Sequence, residues 1–123
     1  MSANKALFFS QDPGGGKFLV AVADAFTRID HACKFQVVVH PLSEQIFSQG
    51  SISYNPLRNF FEDVPVSEIM WKKWLKSERF TRLIWTVSST KQDLTNTHLI
   101  QAAKALGIPS LGYFDHWTGA ERF

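Results

Sequence analysis

The stretch "RLIWTVSSTKQDLTNTHLIQAAKALGIPSLGYFD", Arg82 to Asp115, decides the fold. "RLIWTVSS" is an apolar, β-branched run that closes on small hydroxyl residues, which predicts a strand. "NTHLIQAAKALG" follows with helical spacing, Leu99, Ile100, Ala103 and Leu106 facing inward. Gly107 stands where a helix ends in a left-handed residue, and Pro109 prevents continuation. "IPSLGYFD" then reads as a second strand. Two strands joined through a helix run parallel, because a crossover of that kind returns the chain to the same edge of the sheet.

The same alternation extends towards the N-terminus. "KALFFS" (5–10) is a short buried strand. "GKFLVAVADAFTRI" places Phe18, Val22, Phe26 and Ile29 on one helical face. "FQVVVHP" (35–41) is a strand closed by proline. "LSEQIFSQ" reads as a short helix, and Asn55-Pro56 marks a turn. "SEIMWKKWLKSERF" is an amphipathic helix capped by Ser67, with Met70, Trp71, Trp74 and Leu75 on one side and Lys72, Lys73, Lys76 and Arg79 on the other. The predicted architecture is α/β: an open, mostly parallel Rossmann-like (flavodoxin-like) sheet of four to five strands, with helices on both faces.

The 123 residues suit a single domain spanning the whole chain. With 45% hydrophobic residues, eleven Phe and four Trp, the core is aromatic-rich. A formal net charge of +2 gives no nucleic-acid footprint. Cys33 is the single cysteine, so no internal disulfide forms. The apolar run Ala6 to Phe9 is too short for a signal-peptide core, and no stretch reaches the roughly 18 apolar residues of a membrane span. A cytoplasmic setting is the expectation. After the last strand only "HWTGAERF" remains, so the chain is either a small complete variant or the N-terminal part of a larger enzyme.

Ligands of open parallel sheets bind outside the carboxyl ends of the strands, where strand order reverses. There the first strand delivers Gln11, Asp12, Gly14, Gly15, Gly16 and Lys17. The second delivers His40. The third delivers Ser88, Ser89, Thr90 and Lys91, with Asp93 beyond. The fourth delivers Asp115, His116 and Trp117, then Glu121 and Arg122. Small and polar residues gather on this edge while the strands behind it are apolar.

The glycine run "DPGGGKF" (12–18) has two readings. It is a β-α turn that admits a ligand, with helix N–H groups suited to an anion, or a turn that only lets helix and strand pack closely. It does not match G-x-x-x-x-G-K-S/T, since Phe18 stands where a metal-binding hydroxyl would be. It does not match G-x-G-x-x-G either. Ser88 and Ser89 bind a sugar or phosphate, or they form the turn and cap the following helix along with Asp93. Asp115 and His116 are adjacent and point to opposite faces of a strand; at a bent strand end either serves as a base. Trp117 offers a flat face for ring stacking or closes the core edge. His31, His40 and His98 lack the spacing of a helical metal site, so neither metal nor cofactor is expected. Cys33 reads as a small buried hydrophobe. The Lys72–Arg79 face is a solvated helix surface, with contact to anionic lipid, Trp71 and Trp74 beside it, as the lesser alternative.

Two stretches, "ALFFSQDPGGGKFLVAVADAF" and "LIWTVSSTKQDLTNTHLIQAAKALGIPSLGYFDHW", together resemble the N-terminal half of GT-B-type glycosyltransferases. The resemblance implies a domain on the acceptor side of an interdomain cleft. Gly14, Gly15, Gly16, Asp115 and His116 would line that cleft. It also implies a sugar or nucleotide-sugar ligand, no bound metal, and a second domain or partner chain, a homo-oligomer included, that completes the site. A different class remains open: a non-catalytic flavodoxin-like regulatory domain that binds a phosphorylated small molecule at the same rim. The length suits a receiver-type domain, but the acidic cluster and the lysine such domains carry at their strand ends are missing.

Overall fold

The computed structural model of the chain describes residues 5–12, 19–25, 28, 34–49, 52–86 and 93–113. Five strands form one parallel sheet: β1 (Lys5–Ser10), β2 (Lys34–Val39), β3 (Asn55–Pro56), β4 (Arg82–Thr86) and β5 (Ser110–Tyr113). Their order is β3-β2-β1-β4-β5. That is the Rossmann order, in which the chain leaves the first strand one way and later returns to its other side; the flavodoxin order is 2-1-3-4-5.

The helices are α1 (residues 19–25), α2 (Glu44–Ser48), α3 (Glu68–Glu78) and α4 (Thr95–Ala105). Strand alternation assigns them to faces. Leu7 and Phe9 of β1, with Leu83 and Trp85 of β4, meet Trp71 and Leu75 of α3 and Leu99, Ala102 and Ala103 of α4. Ala6 and Phe8, with Val37 and Val39 of β2, meet Leu19 and Ala23 of α1 and Phe47 of α2. β1 is therefore buried on both faces, which is why its sequence is a continuous apolar run. α1 follows the step from β1 to β2, and α4 the opposite step from β4 to β5. They lie on opposite faces, as right-handed crossovers require.

Both long helices end in the same way. Gly107 has φ 72°, with its N–H on the Lys104 carbonyl and the Ile108 N–H on the Ala103 carbonyl. This pair of bonds is the Schellman closure. α3 repeats it with Arg79 at φ 59°, its N–H on Lys76 and the Phe80 N–H on Leu75. At its start, the Ser67 hydroxyl accepts from the Met70 N–H at 3.2 Å, as the sequence predicts.

Two expectations change. Asn55-Pro56 is not a turn but the edge strand β3, paired with Val38 and Val39; a proline is tolerated there because an edge strand leaves one side unpaired. Met70 lies outside the core, 45% exposed. Trp71 is fully buried, and Trp74 packs in an aromatic cluster with ring centroids 4.9 Å from Phe60 and 5.2 Å from Phe80. Among the described residues, no helix is long and apolar enough to cross a membrane.

Candidate functional site

Strand order reverses between β1 and β4, so the crevice opens at their carboxyl ends. Ser10 ends β1, Thr86 ends β4, and both are fully buried. Each lies one step beyond the sequence's apolar strand core, where small hydroxyl side chains replace Phe and Trp. The Ser10 hydroxyl lies 3.1 Å from that of Ser43, which is itself fully buried.

Gln11 is the central side chain. It follows β1, is fully buried, and uses both ends of its amide. Nε2 donates to the Asp93 carbonyl at 2.8 Å, and Oε1 accepts from the Asn96 N–H at 2.8 Å. It thus fastens the carboxyl end of β1 to the first turn of α4.

His40 follows β2 and reaches the same turn. Its Nδ1 accepts from the Leu42 N–H at 3.2 Å, so the proton resides on Nε2, which donates to Asp93 Oδ2 at 2.7 Å. Asp93 Oδ1 accepts from both the N–H and the hydroxyl of Thr95. Burial pushes the Asp93 carboxyl up. The bonds from the Thr95 hydroxyl, the His40 ring and the Thr95 N–H outweigh it and hold the group below its ordinary value. Thr95 extends the network inward: its hydroxyl accepts from the Val66 N–H at 2.9 Å and its carbonyl from Trp71 Nε1 at 3.0 Å.

This geometry decides what these groups can do. Both nitrogens of His40 are engaged and its side chain is 5% exposed, so it braces the crevice rather than serving as a base. The N–H groups of Thr95 and Asn96, which open α4, meet Asp93 and Gln11. That helix end is thus capped by the protein itself and offers those donors to no anion. Asp93 fulfils the capping role expected of it from the sequence.

Of the residues singled out in the sequence, Asp12 stands at this crevice, half-buried, its carbonyl accepting from the Ser10 hydroxyl at 3.3 Å. Gly14, Gly15, Gly16, Lys17, Ser88, Ser89, Asp115, His116 and Trp117 lie outside the described residues, as does Cys33. Gln11, His40 and Asp93 were recognised as edge residues but not as a connected set. Thr86, Thr95 and Asn96 were missed. The available signal was their polarity at positions that continue an apolar strand or open an apolar helix face. Among the described residues no cluster of His, Cys, Asp and Glu could hold a metal ion. A cleft of about 410 Å³ lined by Asp24, Phe35, Gln36, Val37, Ile52, Ser53 and Asn55 opens instead beside the amino half of β2, away from the crevice.

No family model matches the sequence, and no curated protein matches it. Among solved structures, MurG of Acinetobacter baumannii matches 96% of this chain with a TM-score of 0.65 and 13% sequence identity. The chain spans 38% of that protein. MurG is a GT-B glycosyltransferase. At that identity the likeness concerns the backbone, and the conclusion is one of fold: the chain is a Rossmann-like α/β domain with a backbone similar to part of MurG.

Proposed function

We propose that this chain is a sugar- or nucleotide-sugar-related binding domain, similar to the acceptor half of a glycosyltransferase, and that a second domain or subunit completes its site. One observation carries the reading: a Rossmann sheet like that of MurG, whose carboxyl edge at the β1/β4 reversal is built of small and polar residues. Such an edge suits a ligand rich in hydroxyl groups, and the crevice at a strand-order reversal is where open α/β sheets bind. Asp12, Gly14, Gly15, Gly16, Ser88, Ser89 and Trp117 are the proposed ligand-binding residues. Asp115 or His116 is assigned the role of general base towards an acceptor hydroxyl.

Calorimetric titration of UDP-glucose and of simple sugar acceptors into the chain, and into a Gly15→Val variant, tests this. Saturable heat with the native chain that is lost in the variant is the expected result. Absence of saturable heat with both proteins removes the idea of a site that works in this chain alone.

A further inference from the structure

The layer of α3 and α4 presents unlike surfaces at its two ends. α3 finishes just before β4 and α4 just before β5, so both helices end at the amino edge of the sheet. There the buried Leu75 and Phe80, with Leu106 and Ile108, floor a groove of about 290 Å³, and the exposed Lys76 and Arg79 stand at its rim. Glu78 beside them is engaged by Lys5, and Lys72 by Glu68. Among the described residues, Lys76 and Arg79 have no ion-pair partner. The helix dipole favours a cation in the last turn, which is reason enough for Lys76. Arg79 stands at the left-handed position that α4 fills with Gly107, where a side chain costs stability.

The other end of α3 lies at the carboxyl edge, where the Val66 N–H meets the Thr95 hydroxyl. In the loop that enters it, Glu62 and Asp63 are exposed and, among the described residues, have no ion-pair partner. Val64 beside them is 39% exposed, and Ile69 and Met70 of the first turn are exposed too. Single exposed apolar side chains are ordinary; three within seven positions, next to two free acids, mark a contact surface. The two ends match: an apolar side chain flanked by acids, and an apolar groove flanked by cations. α3, eleven residues and about 16 Å long, keeps them apart within one chain. We infer that the occupant of the groove is a second copy of this chain, with Val64 on the apolar floor and Glu62 and Asp63 against Lys76 and Arg79. With two α3 helices set antiparallel, each loop reaches the other's groove. The contact is then made twice and closes as a two-fold dimer. It is small, hence weak, and carried at its rim by charge, hence salt-sensitive. It does not depend on the sugar-binding reading.

Sedimentation velocity of the native chain from about 10 μM to about 1 mM tests this. The weight-average mass is expected to rise towards that of a dimer, and to fall back in about 0.5 M salt. Glu62→Lys/Asp63→Lys and Lys76→Glu/Arg79→Glu should each stay monomeric, while their equimolar mixture regains association, because each finds the opposite charge on the other. Arg79→Gly should associate about tenfold more weakly, since the lost pair counts twice in a two-fold contact, yet melt no lower than the native chain. A native chain still monomeric at about 1 mM, a mixture that stays monomeric, or native association in either double variant overturns the inference. So does a chain that does not self-associate but co-sediments with phosphatidylglycerol vesicles through Lys76 and Arg79; the groove would then serve an anionic membrane.

Discussion

The two ends of β1 are both tied to distant segments by polar side chains, in opposite physical settings. At the amino end, the Lys5 N–H donates to the Thr81 hydroxyl at 3.0 Å and Lys5 Nζ to the Glu78 carbonyl at 3.0 Å. The Lys5–Glu78 ion pair spans 3.5 Å, with the two side chains 27% and 37% exposed. Lys5 Nζ also sits 4.5 Å from the centre of the Phe80 ring. At the carboxyl end, Gln11, His40 and Asn96 make their bonds in near-complete burial, and the Asp93 side chain bonded to His40 is 18% exposed. Water competes with the first set and screens it, so each bond there is worth little. It does not compete with the second, so each broken bond there leaves a desolvated group behind.

Gln11→Leu attacks that contrast most directly. It leaves the Asn96 N–H and the Asp93 carbonyl buried without partners, and a loss of about 3 kcal/mol in chemical denaturation is expected. A change below about 0.5 kcal/mol would mean that the two ends are not energetically different.

Asp93→Asn comes next, with an expected loss of about 2 kcal/mol from weakened bonds to His40 and Thr95. Its pH signature follows from the lowered folded-state value. The contribution of Asp93 is fully present above its unfolded value, near 3.8, and is lost as pH falls through the lower folded value. The stability gap between native chain and variant should therefore shrink at acidic pH. A gap that stays constant down to pH of about 2 would exclude Asp93 as an ionised strut.

At the amino end the expected effects are smaller. Arg79→Gly relieves a non-glycine residue held at φ 59° and should stabilise by about 1 kcal/mol, read as a rise in melting temperature. Glu78→Gln removes an exposed charge pair and should cost no more than about 0.5 kcal/mol, less at high salt. If Glu78→Gln rivals Asp93→Asn in its effect, the contrast between the two ends fails.

How much of this was legible depended on the distance between partners. β1, β2, β4, β5 and the two long helices were readable, because periodicity and caps such as Ser67 and Gly107 act within a few residues of themselves. β3 was not, since two residues carry no period and one is a proline. Its place is marked by pairing with Val38 and Val39, and by Asn55 Nδ2, which reaches the Val37 carbonyl at 3.5 Å. Met70 was assigned inward because helical spacing defines a stripe but not its width; the stripe that the sheet covers centres on Trp71 and Leu75.

By itself, then, the sequence determined that strands and helices alternate, that the sheet is parallel, and that its polar residues collect at the carboxyl edge. Only the tertiary structure decided the strand order and with it which polar residues meet. Gln11 finds Asn96 across 85 positions and His40 finds Asp93 across 53. Such bonds leave no local pattern. They form because β1 lies between β2 and β4, so that three chain segments converge on one buried point.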